Sequence, residues 1–508
     1  MFSRVSTCGL LGLDGYPIQV EADISNGLPA FDIVGLADIS VKEARERVRA
    51  AIKNSGYEFP VKRITVNLAP ADTRKEGTGF DLPLALSILV SAGVIPQNAV
   101  EEVMLVGELA LDGEVRPVSG MLCKAIAIKE LGFARVMVPY KNADEVAVIK
   151  GLEILPVKTL KEAVEHFIGT KPVFYMSEEC LHPALEGSSE DFSEVKGQKN
   201  AKRALEVAAS GGHNLIMIGS PGSGKTMLAR RLPSILPDLT FEESLEITKI
   251  YSVSGKLPSH GPLIQERPFR SPHHTASAVS LIGGGRLPKP GEASLAHHGV
   301  LFLDEIPEFP RMTLDVLRQP LEDGYANVSR ISAAVSYPCK FMLVAAANPC
   351  KCGYYGDPAK SCICSYRDAE NYLSRLSGPL MDRIDIHVLV PTLRYSEMEN
   401  SEVEEGSGDI KKRVNQARKI QQERYRHYGV YCNAHLKGAM IREFCRVDEE
   451  GKRILRSAFD RLNLSARAHD RILKVARTIA DMDGEALIKA GHLAEAIQYR
   501  ALDRTVRV

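Results

Sequence analysis

Three features that would assign this chain to a specialised class are missing from its sequence. Lysine plus arginine equal aspartate plus glutamate at 64 each, so no net basic charge indicates a nucleic-acid-binding protein. A local basic channel is still compatible with a neutral total. No hydrophobic run is long enough to span a bilayer, and the N-terminus lacks the apolar core of a signal peptide. The ten cysteines include two tight pairs but no disulfide framework. We therefore expect a cytoplasmic protein with no membrane contact.

The length of the chain predicts several domains. At 508 residues the chain is too long for one hydrophobic core, and about 150 residues per domain suggests about three. Short alternating strands mixed with helices indicate an α+β domain at 1–168. A polar, irregular linker follows at 169–191, then an α/β core at 192–393 and a helical domain at 394–508, which begins with an acidic connection.

A glycine-rich loop between a short apolar run and a helical pattern carries the clearest chemistry. Its spacing, G-x-x-x-x-G-K-T, lets backbone N–H groups surround phosphate oxygens at the positive end of the following helix. In such a loop the lysine reaches the β- and γ-phosphates and the threonine hydroxyl binds Mg²⁺. The sequence therefore predicts an ATP or GTP site with Mg²⁺, formed by Gly219, Ser220, Pro221, Gly222, Ser223, Gly224, Lys225 and Thr226.

Two further apolar runs end in polar side chains that suit nucleotide hydrolysis. The run at 299–303 is followed by Asp304 and Glu305. We expect Asp304 to hold Mg²⁺ and Glu305 to polarise the attacking water. The run at 340–347 is followed by Asn348, whose amide would orient that water, although a turn asparagine is the alternative.

Four closely spaced cysteines form a second candidate site. The pairs Cys350 with Cys352 and Cys362 with Cys364 flank a Gly/Pro loop, and four thiolates can close a tetrahedral structural zinc site. The one-residue spacing within each pair is atypical for zinc, so buried or redox-sensitive thiols remain an equal alternative. The two His-His pairs, at 273–274 and 297–298, lack partners at ligand spacing and favour structural or inter-subunit roles over metal binding.

The N-terminal region resembles the proteolytic domain of Lon-type proteases. The segments 75–79 and 107–120 carry this resemblance, which implies the ribosomal protein S5 domain 2-like α+β fold. Lon-type enzymes use a serine nucleophile with a lysine base. Laid onto this sequence, the serine position falls on Gly79 and the lysine position on Leu122. No protease activity is expected, and the domain would serve binding or assembly.

A displaced dyad is the alternative for this region. Thr78 and Lys124 have the required side chains, but neither occupies the position that the Lon resemblance assigns to a catalytic group. We therefore favour an inactive protease-like domain.

The remaining segments resemble parts of AAA+ ATPases. By this resemblance Val195 and Gly197, about 20 residues before the phosphate loop, would lie beside the adenine. Arg383, within 375–386, matches the arginine finger, which acts on a neighbouring subunit's ATP. Arg467, near the start of a C-terminal helix, matches the arginine that senses the γ-phosphate. For both arginines an ordinary surface role is the alternative.

Taken together, these motifs resemble the magnesium-chelatase-like AAA+ ATPases of the YifB/ComM type over residues 1–508. The resemblance implies an α/β P-loop NTPase core with the N-terminal Lon-like domain and a C-terminal helical lid. It also implies an ATP- and Mg²⁺-dependent ring, a hexamer, that acts as a DNA helicase in branch migration during recombination and natural transformation. The alternatives are a protein-remodelling ATPase and a magnesium-chelatase-like motor acting on a partner protein.

Overall fold

The computed structural model describes most of the chain and divides it into two units. Residues 37, 74, 76, 175–189, 259–260, 286–287, 330–333, 359, 394–403, 463 and 501–508 are not described. Most of the predicted linker and of the predicted acidic connection therefore lies outside the described residues. One compact unit comprises Met1–His182 with Ser244–Ile264, and the other comprises Pro183–Glu243 with Gln265–Val508.

A seven-stranded mixed sheet forms the centre of the first unit. Its strands, in spatial order, are Ala30–Val34, Arg63–Ala69, Asp14–Ser25, Phe2–Leu11, Val103–Leu105, Arg135–Pro139 and Glu153–Val157. The two longest strands are neighbours and antiparallel. Alternate residues of the second one, including Ile18, Val20 and Ala22, are buried, as expected for a strand with one face on the core.

The helices of the first unit cover this sheet. The most buried of them is Asp81–Ser91, in which every residue is buried, and it packs against the two longest strands. Its N-terminal Asp81 forms a bidentate ion pair with Arg47, with N–O distances of 2.8 and 3.0 Å. The helices are Ile39–Asn54, Asp81–Ser91, Met121–Glu130, Ala143–Ala147 and Leu160–Phe167, with 3₁₀ turns at Gln97–Ala99 and Tyr140–Asn142 and a short strand pair at Glu108–Leu109 and Val115–Arg116.

A segment from the middle of the chain belongs to the first unit. The predicted boundaries assign residues 244–264 to the ATPase core, whereas the structure groups Ser244–Ile264 with the N-terminal region. The buried carboxylate of Glu145 explains the attachment, because it accepts hydrogen bonds from the Ser252 hydroxyl and from the Leu122 N–H. The Gly120 N–H also donates to the Ser252 carbonyl at 3.0 Å.

A five-stranded parallel sheet forms the centre of the second unit. Its strands, in spatial order, are Phe269–Arg270, Val300–Leu303, Met342–Ala347, Leu215–Ile218 and Ile386–Leu389. Every residue of the three central strands is buried, because helices cover both faces of such a sheet. The carboxyl ends of these strands therefore meet at one edge, where open parallel sheets bind ligands.

Helices and two short strand pairs complete the second unit. The helices are Lys199–Gly211, Lys225–Arg231, Ala278–Ile282, Glu292–Leu295, Arg311–Asp315, Arg318–Asp323, Tyr366–Leu373, Gly378–Met381, Ser407–Tyr425, Ala439–Phe444, Glu449–Leu462, Ala466–Met482 and Ala490–Gln498, and Phe241–Ser254 crosses the boundary between the units. The 3₁₀ turns are Phe192–Glu194, Leu232–Ile235, Ile306–Glu308 and Asn433–His435, and the strand pairs are Gly283–Gly284 with Lys289–Pro290 and Tyr325–Ser329 with Ala334–Pro338.

The C-terminal helices share one hydrophobic core with the parallel sheet. Ser407–Tyr425 packs on Lys199–Gly211. Ser465 caps Ala466–Met482 by accepting the Ala468 N–H at 3.2 Å. An α/β core with a parallel sheet and C-terminal helices is therefore confirmed. Within the described ranges, no helix has the length and apolar character needed to cross a membrane.

Candidate nucleotide-binding site

The phosphate loop joins the buried strand Leu215–Ile218 to the helix Lys225–Arg231. Gly222 and Gly224 adopt φ angles of +80° and +92°, which favour glycine strongly. Gly219 is required for space, because a Cβ there would lie 2.2 Å from the Val390 carbonyl oxygen. The sequence folds locally as the glycine spacing predicts.

Lys225 is held at the centre of this loop. Its Nζ donates to the carbonyl oxygens of Gly219 and Ser220 at 2.7 and 3.0 Å and to the Asn348 side-chain oxygen at 3.3 Å. Burial lowers the pKa of Lys225 from its usual value, while the Asp304 and Glu305 carboxylates act in the opposite direction. The ammonium group is thus held among acceptors that phosphate oxygens can replace.

Thr226 and Asp304 provide the oxygen ligands that Mg²⁺ prefers. The Thr226 hydroxyl donates to the Asp304 carboxylate at 2.7 Å. A hydroxyl and a carboxylate oxygen this close can both bind a single small ion, and Mg²⁺ takes its remaining ligands from water and phosphate. The donor set therefore fits the predicted metal.

Glu305 has an unusual backbone conformation next to this pair. Its φ of +49° and ψ of +46° are left-handed, which costs about 1–2 kcal/mol for a residue with a side chain. About half of its side chain is exposed, as a group that acts on bound water requires. His274 Nδ1 lies 4.0 Å from its carboxylate. His274 is not predicted at this site from the sequence, since only the fold brings the two residues together.

The residues predicted beside the adenine lie near the start of the first C-terminal helix, Ser407–Tyr425. Val195 is buried, and the Gly197 N–H donates to the Glu404 carboxylate at 2.7 Å. Gln198 donates its side-chain N–H groups to the Ser223 and Pro391 carbonyl oxygens at 3.2 and 2.6 Å. Gln198 and Glu404 were both missed by the sequence analysis, although Gln198 directly follows the predicted Gly197.

The two predicted arginines lie close to each other. The Arg467 guanidinium is exposed and lies 3.9 Å from the carboxylate of Asp382, the residue before Arg383. The Arg383 guanidinium donates to the Glu322 carboxylate and the Pro379 carbonyl oxygen, and only 12% of its side chain is exposed. Arg383 lines a cavity of about 460 Å³.

The structure brings all four cysteines of the predicted cluster together. The Cys350, Cys352 and Cys362 sulfur atoms lie 3.3 to 3.7 Å apart, and all four sulfurs lie within 4.8 Å of one another. Hydrogen bonds from the Tyr354 and Ile363 backbones lower the pKa of Cys352 to about 6, which favours its thiolate.

The protease-like region places a lysine where the resemblance did not. A Cβ at Gly79 would lie 3.0 Å from the Lys124 Nζ, so Lys124 rather than Leu122 faces the vacant nucleophile position. Leu122 is fully buried. The Thr78 hydroxyl donates to the Glu108 carboxylate, and so the displaced Thr78–Lys124 dyad gains no support.

Comparison with known proteins identifies the family of this chain. Three family profiles match it: "Magnesium chelatase, subunit ChlI" at residues 191–398, "Subunit ChlI of Mg-chelatase" at 20–142, and "Magnesium chelatase, subunit ChlI C-terminal" at 404–500. The uncharacterized protein YifB of Escherichia coli is 45% identical, covering 99% of this chain and 97% of its own. Competence protein ComM of Haemophilus influenzae is 41% identical, covering 100% and 98%.

A more distant similarity covers the N-terminal region. A Lon protease of Lachnoclostridium phytofermentans is 24% identical over 173 residues, which are 31% of this chain and 21% of that protease. This partial match supports the Lon-like element, and the full-length relatives establish the family. The chain belongs to the magnesium-chelatase-like AAA+ family that includes YifB and ComM.

Proposed function

We propose that the chain is a Mg²⁺-dependent ATP hydrolase that assembles as a hexameric ring and moves branched DNA. One observation carries the enzymatic part. The Lys225–Asn348 and Thr226–Asp304 contacts occur side by side at the carboxyl edge of the parallel sheet. This arrangement offers a cation, a metal site and a water-positioning amide to a single triphosphate.

The chain's own residues then have separate roles in hydrolysis. Backbone N–H groups of the loop 219–224 and the Lys225 ammonium bind the phosphates. Glu305 accepts a proton from the attacking water, and Asn348 orients that water. Thr226 and Asp304 would hold Mg²⁺, which would neutralise developing charge on the phosphate oxygens.

The positions of the two arginines support assembly into a ring. Arg383 and Arg467 are adjacent through Asp382, and the Arg383 guanidinium forms an ion pair with Glu322. An arginine finger supplied by a neighbour stabilises the charge of the transition state. We infer that Arg383 acts on the nucleotide of an adjoining subunit, for which it would exchange Glu322 for phosphate, and that Arg467 senses the γ-phosphate.

The DNA part of the proposal rests on the family. ComM is named as a competence protein, and the resemblance found in the sequence implies branch migration. The short hairpin Gly283–Gly284 with Lys289–Pro290 belongs to a basic, glycine-rich stretch that would contact DNA in a central pore.

The test is strand exchange on a fluorescently labelled four-way DNA junction, with the ATPase rate measured in the presence and absence of DNA. We expect ATP-dependent exchange by the wild type, none by Glu305→Gln, and faster hydrolysis with DNA. Hydrolysis that is indifferent to every DNA structure would refute the DNA part and favour a protein client. An absence of hydrolysis would refute the enzymatic part.

A further inference from the structure

The four clustered cysteines have the geometry of a metal site rather than of disulfides. A disulfide requires sulfur atoms about 2.05 Å apart, whereas the three pairs among Cys350, Cys352 and Cys362 are separated by 3.3, 3.4 and 3.7 Å. A tetrahedral site with Zn–S bonds of about 2.3 Å has sulfur–sulfur edges of about 3.8 Å. The sulfurs are therefore nearly at zinc-site spacing, and the Cys364 N–H already donates to the Cys362 sulfur at 3.3 Å.

The cluster is connected directly to the nucleotide site. Cys350 follows Asn348 by two residues, so the strand that positions the amide also positions the first thiol. Gly353 packs on the phosphate loop, because a Cβ at this residue would lie 2.6 Å from two ring carbons of Pro221. The same segment is also bound through Asp357, whose carboxylate accepts a hydrogen bond from the Thr392 hydroxyl at 2.9 Å.

This segment has little regular backbone structure. Across residues 350–364, apart from the undescribed 359, the backbone forms turns and bends but no helix or strand. A loop without regular hydrogen bonding depends on side-chain links for its conformation. Four sulfur ligands from its two ends would close it into a rigid unit, as structural zinc does in small metal-bound loops.

We propose that Cys350, Cys352, Cys362 and Cys364 bind one Zn²⁺ ion that fixes the loop 350–364 against Pro221. Nucleotide affinity then depends on the metal, because zinc-free protein loses the support on one side of the phosphate loop. The dependence of affinity on zinc rests on the proposed ATP site. The presence of zinc does not.

The first experiment measures metal content in the purified full-length protein by mass spectrometry. We expect about one zinc per chain in the wild type, and loss of zinc in the double variant Cys362→Ser with Cys364→Ser. These two positions are partly exposed, so the substitutions leave the core intact. Cys445→Ala, at a buried cysteine outside the cluster, should retain zinc. Iron in place of zinc, no metal, or full zinc in the double variant would overturn the proposal.

The second experiment tests the connection to the nucleotide through two glycines. Gly353 and Gly356 both have positive φ, at +90° and +75°, but a Cβ at Gly356 meets no atom within 4 Å. Both substitutions to alanine carry a similar backbone cost, and only that at Gly353 displaces the loop from Pro221. We expect Gly353→Ala to keep zinc and raise the Kd for ATP by about tenfold, equivalent to about 1.4 kcal/mol. Gly356→Ala should keep the zinc and the wild-type Kd for ATP.

Removing zinc from the wild type with a chelator under reducing conditions should raise the Kd similarly, and added Zn²⁺ should restore it. An unchanged Kd in both the zinc-free wild type and Gly353→Ala would overturn the connection. If Lys225→Met loses nucleotide binding and retains zinc, zinc binding does not depend on an intact nucleotide site. A wild type that holds zinc but binds no nucleotide would instead refute the proposed function.

Discussion

Replacing Lys225 with methionine tests the nucleotide site most directly. Methionine is unbranched and apolar, so it fills the channel of the lysine stem without the charge. The lost ammonium group donates to Gly219, Ser220 and Asn348, and we expect phosphate oxygens to replace these acceptors when ATP binds. The substitution therefore removes charged hydrogen bonds to ATP and leaves most of the local packing in place.

The structure sets the size of the expected effect. A hydrogen bond from a charged donor contributes about 1.5–3 kcal/mol. Loss of two such contacts, one to each of the β- and γ-phosphates, costs about 3–6 kcal/mol, or about 10²–10⁴ in Kd. Titration calorimetry with ATP and Mg²⁺ measures this change. Arg230→Met is the matched control, because Arg230 lies on the same helix, is exposed and carries the same charge.

A Kd for ATP within about threefold of the wild type in Lys225→Met would refute the assignment of this loop. Thermal unfolding without nucleotide separates binding from stability. Removing the ammonium leaves two backbone carbonyls and an amide oxygen without their donor, so a lowered melting temperature is expected in this variant. The measured rise in Kd must be larger than the rise that the fraction of unfolded protein at the assay temperature would cause.

Three further predictions follow from the same unit. Glu305→Gln should bind ATP normally and hydrolyse it about 10²–10⁴ times more slowly in single-turnover assays, whereas equal rates would exclude Glu305 as the base. Mixing Arg383→Ala with Lys225→Ala subunits should restore part of the ATPase activity, and no recovery in subunit-exchanging mixtures would contradict an action in trans. Burial lowers the pKa of His387 to about 3, below the unfolded value of about 6.5, so the unfolded chain takes up a proton that the folded state excludes. The stability from neutral His387 is therefore present above pH 6.5 and is lost as pH falls towards 3, by up to about 1.4 kcal/mol per pH unit. In denaturant unfolding, the free energy of unfolding of His387→Leu should fall less steeply with decreasing pH than that of the wild type.

The central strands and the phosphate loop could be predicted from sequence because their signals are local. The buried runs before Gly219, Asp304 and Asn348 are contiguous, and parallel strands buried on both faces read as unbroken apolar segments. Their meeting at one edge follows from the general behaviour of parallel sheets. The strands begin or end within two residues of their predicted limits, as usual for boundaries.

Contacts between distant segments could not be predicted in this way. His274 reaches Glu305 from another part of the chain, and Gly353 meets Pro221 only because the two loops fold together. The attachment of Ser244–Ile264 to the N-terminal unit has the same origin, since hydrophobic periodicity reports which face of an element is buried and not what covers it. Lys124 is a further example, because the closeness of its amine to Gly79 depends on the rotation of the helix Met121–Glu130 about its own axis.

Lys124 lies beside the vacant nucleophile position of the protease-like domain. Burial lowers the pKa of this lysine, as a general base requires, and its amine lies against the place where a side chain at residue 79 would begin. Of the two groups of a serine–lysine dyad, the structure therefore has an amine in place and no hydroxyl at residue 79. The expected inactivity of the domain as a protease thus depends on the glycine at that position, because a serine there would begin against the amine.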